Sequence, residues 1–226
     1  MRLITAISKS RIERQQLCIS SWTKYTKDIV ACNTKEDIEH LQPLFPDVKF
    51  IECPEELTGK ALYDRPDRVS IYALAKCGPG LLLNSDIKIE GVSTKDFYSI
   101  WSPVSKMLKL GIRSNFDGLG KPKTQEKYGI DAFLLTEDVI ESIPNLGFTI
   151  GVSVWDYWLV WHFITERYEI KPIYGHMLHL VHTSSWNEQD TAIGMELMIK
   201  NYRIDLEQLT KAVQVFTARD KQLCLS

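Results

Sequence analysis

The stretch Gly80-Leu-Leu-Leu-Asn-Ser-Asp-Ile-Lys-Ile89 decides the fold. Its three leucines follow a Pro-Gly breaker pair, which predicts a short central strand covered on both faces. The strand ends in Asn84, Ser85 and Asp86, and an apolar pattern then resumes. In open α/β sheets, ligands bind outside the carboxyl ends of the strands, so this polar end predicts a site. The alternative is an ordinary turn, because all three residue types favour turns.

Strands alternate with helices before this stretch. Strands are predicted at residues 3–7, 29–32 and 50–51. Helices are predicted after the Ser10–Glu13 capping box, after Thr34 with Asp37, and over residues 66–76. This alternation predicts right-handed crossovers and a mainly parallel α/β sheet flanked by helices. We expect a single domain, with residues 1–90 as a nucleotide-binding half and residues 91–226 as a smaller acceptor-side half that includes the C-terminal helices.

The second half is less regular. Strands are predicted at residues 107–113 and 130–135, with an edge strand at 177–182, and a loop is predicted at 116–127. Helices are predicted at 137–143, 187–201 and 206–219, and residues 150–159 are predicted to run into a further helix that carries Trp158, Trp161 and His162. Loops of this kind commonly carry specificity.

Motifs for two common nucleotide-binding classes are absent from the sequence. No G-x-G-x-x-G follows the first strand, and no G-x-x-x-x-G-K-[ST] occurs anywhere. A dinucleotide-binding fold and a P-loop enzyme therefore lose their main support. The turn after the first strand reads Ser8-Lys9-Ser10-Arg11 instead.

Composition is that of an ordinary soluble domain of 226 residues with a net charge of −2. Such a charge gives no general field for nucleic acid or an anionic membrane, although lysines between residues 106 and 127 could form a local basic patch. The five cysteines form no C-x-x-C pair, which predicts reduced thiols in the cytoplasm. We expect no transmembrane segment, because no apolar run is long enough.

Residues 68–87, Arg68-Val-Ser-Ile-Tyr-Ala-Leu-Ala-Lys-Cys-Gly-Pro-Gly-Leu-Leu-Leu-Asn-Ser-Asp-Ile, resemble a segment of GT-A fold glycosyltransferases. In that family a helix leads to a strand that ends in an Asp-x-Asp metal motif. The resemblance implies a nucleotide-sugar donor and a divalent cation, Mn²⁺ or Mg²⁺, that neutralises its diphosphate. Asp86 matches the ligating Asp, Asn84 replaces the first carboxylate, and Asn84 with Ser85 is expected to contact the nucleotide.

Residues 181–186, Val-His-Thr-Ser-Ser-Trp, are similar to the segment that supplies a late metal ligand in several GT-A families. This similarity implies that His182 is a second metal ligand. The alternative is a structural histidine at a strand end. His179 would point to the opposite face of the strand, so we expect it to be structural.

The segment Trp155-Asp156-Tyr157-Trp158 resembles the aromatic and acidic acceptor segment of such transferases. Asp156 is the expected catalytic base or acceptor-positioning residue, and Asp131 is a further candidate for contact with a sugar. The alternative for Asp156 is a helix N-cap, and Trp158 and Trp161 are better explained as core residues.

Basic residues complete the implied donor site. In the family pattern, the turn after the first strand and nearby basic residues meet the nucleotide, which gives Lys9, Arg11 and Arg68 roles near its base or phosphates. A solvated surface charge is an equally good interpretation of Lys9.

The leading hypothesis is therefore a metal-dependent glycosyltransferase. A sugar-phosphate nucleotidyltransferase is the alternative enzyme, although its glycine-rich loop after the first strand is missing. A catalytically silent carbohydrate- or nucleotide-binding protein is the non-enzymatic alternative, because Asn84 replaces a metal ligand. The acceptor is open: a glycan, a protein, a lipid headgroup or a modified nucleobase.

Overall fold

The computed structural model describes residues 1–116, 129–180 and 187–218, and the side chains of all of these except residues 116 and 213–218. The strands are β1 (Leu3–Thr5), β2 (Ile29–Asn33), β3 (Lys49–Glu52), β4 (Thr58–Gly59), β5 (Arg65–Val69), β6 (Gly80–Leu83), β7 (Ile87–Ile89), β8 (Met107–Phe116), β9 (Ile130–Leu135) and β10 (Glu169–Leu180). The helices are α1 (Ile12–Trp22), α2 (Lys35–Leu41), α3 (Lys60–Tyr63), α4 (Ile71–Ala75), α5 (Thr94–Ile100), α6 (Glu137–Ser142), α7 (Trp155–Thr165), α8 (Glu188–Tyr202) and α9 (Leu206–Ala218). In the described parts of the chain, every helix is too short or too polar to cross a membrane.

Among the described residues, eight strands form one sheet in the order β3-β2-β1-β6-β9-β8-β10-β7. Strands β3, β2, β1 and β6 run parallel to one another, and β8 pairs in parallel with β10. Strand β9 is antiparallel to both β6 and β8, and β7 is antiparallel to β10 at the far edge. The predicted α/β class with a mostly parallel sheet is confirmed.

Strand β6 lies at the centre of this sheet, as its sequence predicts. Its three leucines have no exposed surface. Leu82 faces the core layer that contains α4 and α7, whereas Leu81 and Leu83 face the layer that contains α1 and α5. Successive side chains of a strand point to opposite faces, so this continuous apolar run fills both layers, and each buried leucine stabilises the fold by about 1.5–3 kcal/mol.

Two helix starts differ from the prediction. The Ser10–Glu13 capping box is absent: Ser10 Oγ pairs with Ser8 Oγ, and Arg11 precedes α1 in a left-handed conformation with φ 58°. The predicted helix at residues 66–76 is strand β5 followed by the short α4, because Ser70 Oγ accepts a bond from the Ala73 backbone and starts the helix there. Thr34 caps α2 as predicted.

Strand β10 is longer than predicted and does not lie at an edge. It pairs with β8 on one side and with β7 on the other, and its register shifts between Ile173 and Met177. The edge position belongs to β7, which follows Asp86 directly in the chain. The predicted loop at residues 116–127 lies almost wholly outside the described residues.

Candidate active site

A cleft of about 670 Å³ opens at the carboxyl ends of β1 and β6. Its walls come from the turn after β1, the end of β6, strands β8 to β10, and the segment 150–157 that leads into α7. Seven of the predicted site residues line this cleft: Arg11, Arg68, Asn84, Ser85, Asp86, Asp131 and Asp156. The polar end of β6 therefore lies where a site was expected.

The other two predicted residues are Lys9 and His182. Lys9 is absent from the lining, and its ammonium pairs with Glu36 Oε1 at 2.8 Å and Asp37 Oδ1 at 2.9 Å. These carboxylates raise the pKa of Lys9 above its usual range. His182 lies outside the described residues.

The turn after β1 is held by Gln15, a buried residue of α1 that the sequence did not single out. Gln15 Nε2 donates to the carbonyl oxygens of Ser8 and Ser10 at 2.8 and 2.7 Å. Gln15 Oε1 accepts bonds from the Ser8 backbone at 2.8 Å and from Ser85 Oγ at 2.7 Å. One buried amide thus joins the first turn to the end of β6.

Asn84, Asp131 and Arg113 form the first of two polar chains across the sheet. Asn84 Nδ2 donates to Asp131 Oδ1, and Arg113 Nη1 lies 3.0 Å from Asp131 Oδ2. The side chain of Asp131 is only 3% exposed. A buried carboxylate needs such partners, and an aspartate at position 84 would instead oppose Asp131 with a like charge.

Asp86, His179 and Asn115 form the second chain. His179 Nε2 lies 3.5 Å from Asp86 Oδ2, and His179 Nδ1 lies 3.1 Å from Asn115 Oδ1. Both His179 and Asn115 are buried and line the cleft. The expectation that His179 faces away from the site is wrong, because β10 brings it against the Asp86 carboxylate in the cleft, whereas its structural role stays a prediction.

The two chains frame the question of a metal ion. Among the described residues, no group of three His, Cys, Asp or Glu side chains is placed to hold one. Asp86 and His179 offer one carboxylate and one imidazole, donor types that suit a divalent metal. The described residues therefore offer two neighbouring metal ligands, Asp86 and His179, inside the cleft.

Arg68, on β5, also lines the cleft. Its side chain is 14% exposed, and its Nε lies 3.2 Å from Asp67 Oδ2. Gly151, at φ 75°, leaves room for it, since a Cβ there would lie 2.9 Å from Arg68 Nη1. Burial lowers the pKa of the Arg68 guanidinium from its usual value, and an anion in the cleft would offset this cost.

Asp156 is the second residue of α7 and not its cap. Val154, in a left-handed conformation with φ 79°, precedes the helix, so the N-cap interpretation of Asp156 is wrong. Burial in the cleft, together with the charge of Asp131, raises the pKa of Asp156 to about 7. The Tyr157 backbone N–H and the Arg113 charge act in the opposite direction. A carboxylate with this pKa can exchange a proton near neutral pH.

The aromatic residues of this segment divide into two groups. Trp155 and Tyr157 line the cleft. Trp158 is buried and stacks on Phe148 with ring centroids 4.4 Å apart, and Trp161 packs against the same core. The core interpretation of Trp158 and Trp161 is confirmed. Within the part of the chain that the structure describes, the aromatic side chains that line the cleft are Trp155 and Tyr157 in the first turn of α7.

Comparison with known proteins gives a match in fold. No protein-family model and no curated protein sequence matches the chain. The structure resembles that of S. aureus TarS with a TM-score of 0.53 and 13% identity, covering 97% of this chain and 43% of that one. It also resembles S. aureus TarS 1–349 in complex with UDP, with a TM-score of 0.51 and 12% identity, covering 98% of this chain and 72% of that one. The likeness is one of fold: these structures share the expected mainly parallel α/β sheet flanked by helices.

Proposed function

We propose that this chain is a glycosyltransferase that moves a sugar from a nucleotide-sugar donor to an acceptor hydroxyl. The observation that carries the proposal is the placement of Asp156, with a pKa of about 7, in the same cleft as the strand-end carboxylate Asp86. Transfer needs a site for a diphosphate leaving group and a group that accepts a proton, and the cleft offers both.

The donor is a nucleoside diphosphate sugar in this proposal. One of the structures of similar fold holds UDP, which makes UDP the first nucleotide to test. Arg11 and Arg68 flank the nucleotide end of the cleft, where guanidinium groups suit phosphate and base edges. Lys9 takes no part, because Glu36 and Asp37 already neutralise it.

A divalent cation, Mn²⁺ or Mg²⁺, is part of the proposal. Asp86 and His179 would hold it, with His182 as a further ligand from the segment outside the described residues. When bound, the cation neutralises the charge that develops on the leaving nucleoside diphosphate. Asn84 is not needed as a ligand, because its amide is engaged by Asp131.

Asp156 is the proposed catalytic base of an inverting transfer. The acceptor oxygen forms a bond to the anomeric carbon, the bond from that carbon to the diphosphate oxygen breaks, and the acceptor proton moves to the Asp156 carboxylate. A base works best when its pKa lies near the working pH, as that of Asp156 does. Trp155 and Tyr157 beside it suit the apolar face of a sugar.

Binding and transfer experiments test this function. Calorimetric titration with UDP, GDP, CDP and ADP, with and without Mn²⁺, should show one nucleotide that binds more tightly when the metal is present. Mass spectrometry of reactions with nucleotide-sugar mixtures and cell extract should then show a product heavier by one sugar residue. Absence of nucleotide binding would favour the catalytically silent alternative, and release of pyrophosphate from a nucleoside triphosphate and a sugar phosphate would favour the nucleotidyltransferase.

A further inference from the structure

Asp131 is placed as a support for another residue and not as a contact for substrate. Its side chain is 3% exposed, and each of its two carboxylate oxygens has a partner, Asn84 on one side and Arg113 on the other. The backbone of Asn84 also donates to the Asp131 carbonyl oxygen at 3.1 Å. A carboxylate with both oxygens engaged has little capacity to accept a hydrogen bond from a sugar hydroxyl. It does hold the side chains of Asn84 and Arg113 in place.

Arg113 is what Asp131 fixes. Its side chain is 23% exposed and lines the cleft, and its backbone donates to the Gly129 carbonyl oxygen at 2.9 Å. Glycine at position 129 is required by this packing, since a Cβ there would overlap the Arg113 side chain. The guanidinium is therefore held between a carboxylate and a glycine at the cleft wall.

We propose that Arg113 binds the diphosphate of the donor and that Asp131 is the positioning residue that holds its guanidinium in place. This inference rests on the function proposed above. A guanidinium is a planar fork of N–H donors that suits phosphate oxygens, and the Arg113 side chain lines the cleft.

The position of Asn115, beside Arg113 on the same face of β8, favours a diphosphate as the ligand of Arg113. Arg113 and Asn115 are two residues apart on β8, which places them about 7 Å from each other on one face of the sheet. Asn115 leads through His179 to Asp86, the residues proposed to hold the cation. A diphosphate between Arg113 and the cation proposed at Asp86 and His179 would have a positive charge on each side.

The position of Asp156 agrees with this arrangement. The positive charge of Arg113 lowers the pKa of Asp156, so the guanidinium lies within electrostatic reach of the proposed base. Substrate bound at Arg113 would thus have its reacting end near Asp156. Arg113 would then contribute both to binding of the donor and to the pKa of the base that accepts the proton.

The test compares UDP with uridine, which lacks the phosphates. Because Arg113→Gln alone would leave Asp131 buried without its cation, the double variant Arg113→Gln/Asp131→Asn is measured beside it, with thermal denaturation to establish folding. Both should bind UDP at least about tenfold more weakly than the wild type, as expected for loss of a hydrogen bond to a charged group, with unchanged affinity for uridine. Arg167→Gln, at an exposed arginine outside the cleft, is the matched control and should bind both ligands normally.

The Asp131→Asn single variant tests the positioning role. It should weaken UDP binding when Arg113 is present and have no further effect in the Arg113→Gln background, because a support is needed only by the group it holds. Unchanged UDP affinity in the double variant, an equal loss for uridine, or additive effects of the two substitutions would overturn the inference while leaving the proposed function standing. A wild-type protein that binds none of the nucleotides would overturn the proposed function itself.

Discussion

The carboxylates on the two walls of the cleft have different surroundings. On the strand wall, which we define as Asn84, Asp86, Arg113, Asp131 and His179, Asp131 is neutralised by an ion pair and Asp86 lies beside an imidazole. On the helix wall, residues 151–157, desolvation of the half-buried Asp156 and the charge of Asp131 raise the pKa of Asp156 to about 7.

This difference separates binding from proton transfer. On the strand wall, the carboxylates are placed to hold a metal or to position an arginine. A carboxylate that is desolvated and faces a like charge gains and loses its proton near neutrality, as a base must. The variants below should therefore change different quantities on the two walls.

On the strand wall, Asp86→Asn should give the largest effect and abolish measurable transfer. The residue follows the end of β6 and its side chain is 22% exposed, so the fold should survive while the support for the leaving diphosphate is lost. Steady-state turnover and a thermal melt measure the two effects. Asp47→Asn, at an exposed aspartate outside the cleft, is the control, and near-normal turnover of Asp86→Asn would refute the proposed metal role.

On the helix wall, Asp156→Asn should lower kcat by about 10²–10⁴-fold, the usual contribution of a general base. Affinity for the nucleotide should stay the same, because Asp156 faces the acceptor side. Rapid-quench kinetics and calorimetry on the same preparation measure both. Unaltered transfer would leave Asp156 without a catalytic role.

The coupling between the walls predicts opposite shifts of the pH profile. The Asp131 charge raises the pKa of Asp156 and the Arg113 charge lowers it. The acid limb of kcat, which reports loss of the proton from the base, should move to lower pH by about one unit in Asp131→Asn and to higher pH in Arg113→Gln. Profiles that shift in the same direction, or that do not shift, would contradict this coupling.

The smallest effect concerns stability. A carboxyl group whose pKa is raised by folding stabilises the protein below its unfolded pKa of about 4, and this contribution is lost as the pH rises through about 7. Asp156→Asn removes the cost of burying the charge, so it should raise Tm by about 2–4 °C at pH 8 and by little at pH 4. Differential scanning calorimetry at the two pH values tests this, and an equal gain at both would be inconsistent with titration of Asp156.

The central part of this site is readable from sequence because it depends on local pattern. The apolar run before Asn84 and Asp86 predicts a buried strand with a polar end, and the fold of parallel strands places that end in a cleft. Asp156 is readable as an acid within an aromatic segment. The β6 prediction is reliable because an apolar run of this length between turn residues suits few structures other than a strand buried on both faces.

The remaining residues depend on pairing that a single sequence does not specify. His179 reaches Asp86 because β10 shifts its register and pairs on both sides, whereas regular alternation at an edge strand placed it elsewhere. Arg113 and Gln15 are common residue types whose roles arise from contacts with Asp131 and Ser85 far along the chain. The left-handed conformation of Val154 before α7 is likewise not predictable, because valine rarely adopts it.

The most direct test of the account is a crystal structure of the protein with UDP and Mn²⁺. We expect the diphosphate to lie between Arg113 and the metal, the metal to be bound by Asp86 and His179, and Asp156 to face the open side of the cleft. A nucleotide bound elsewhere, or a cleft that excludes UDP at concentrations saturating in calorimetry, would contradict the assignment of this cleft as the donor site.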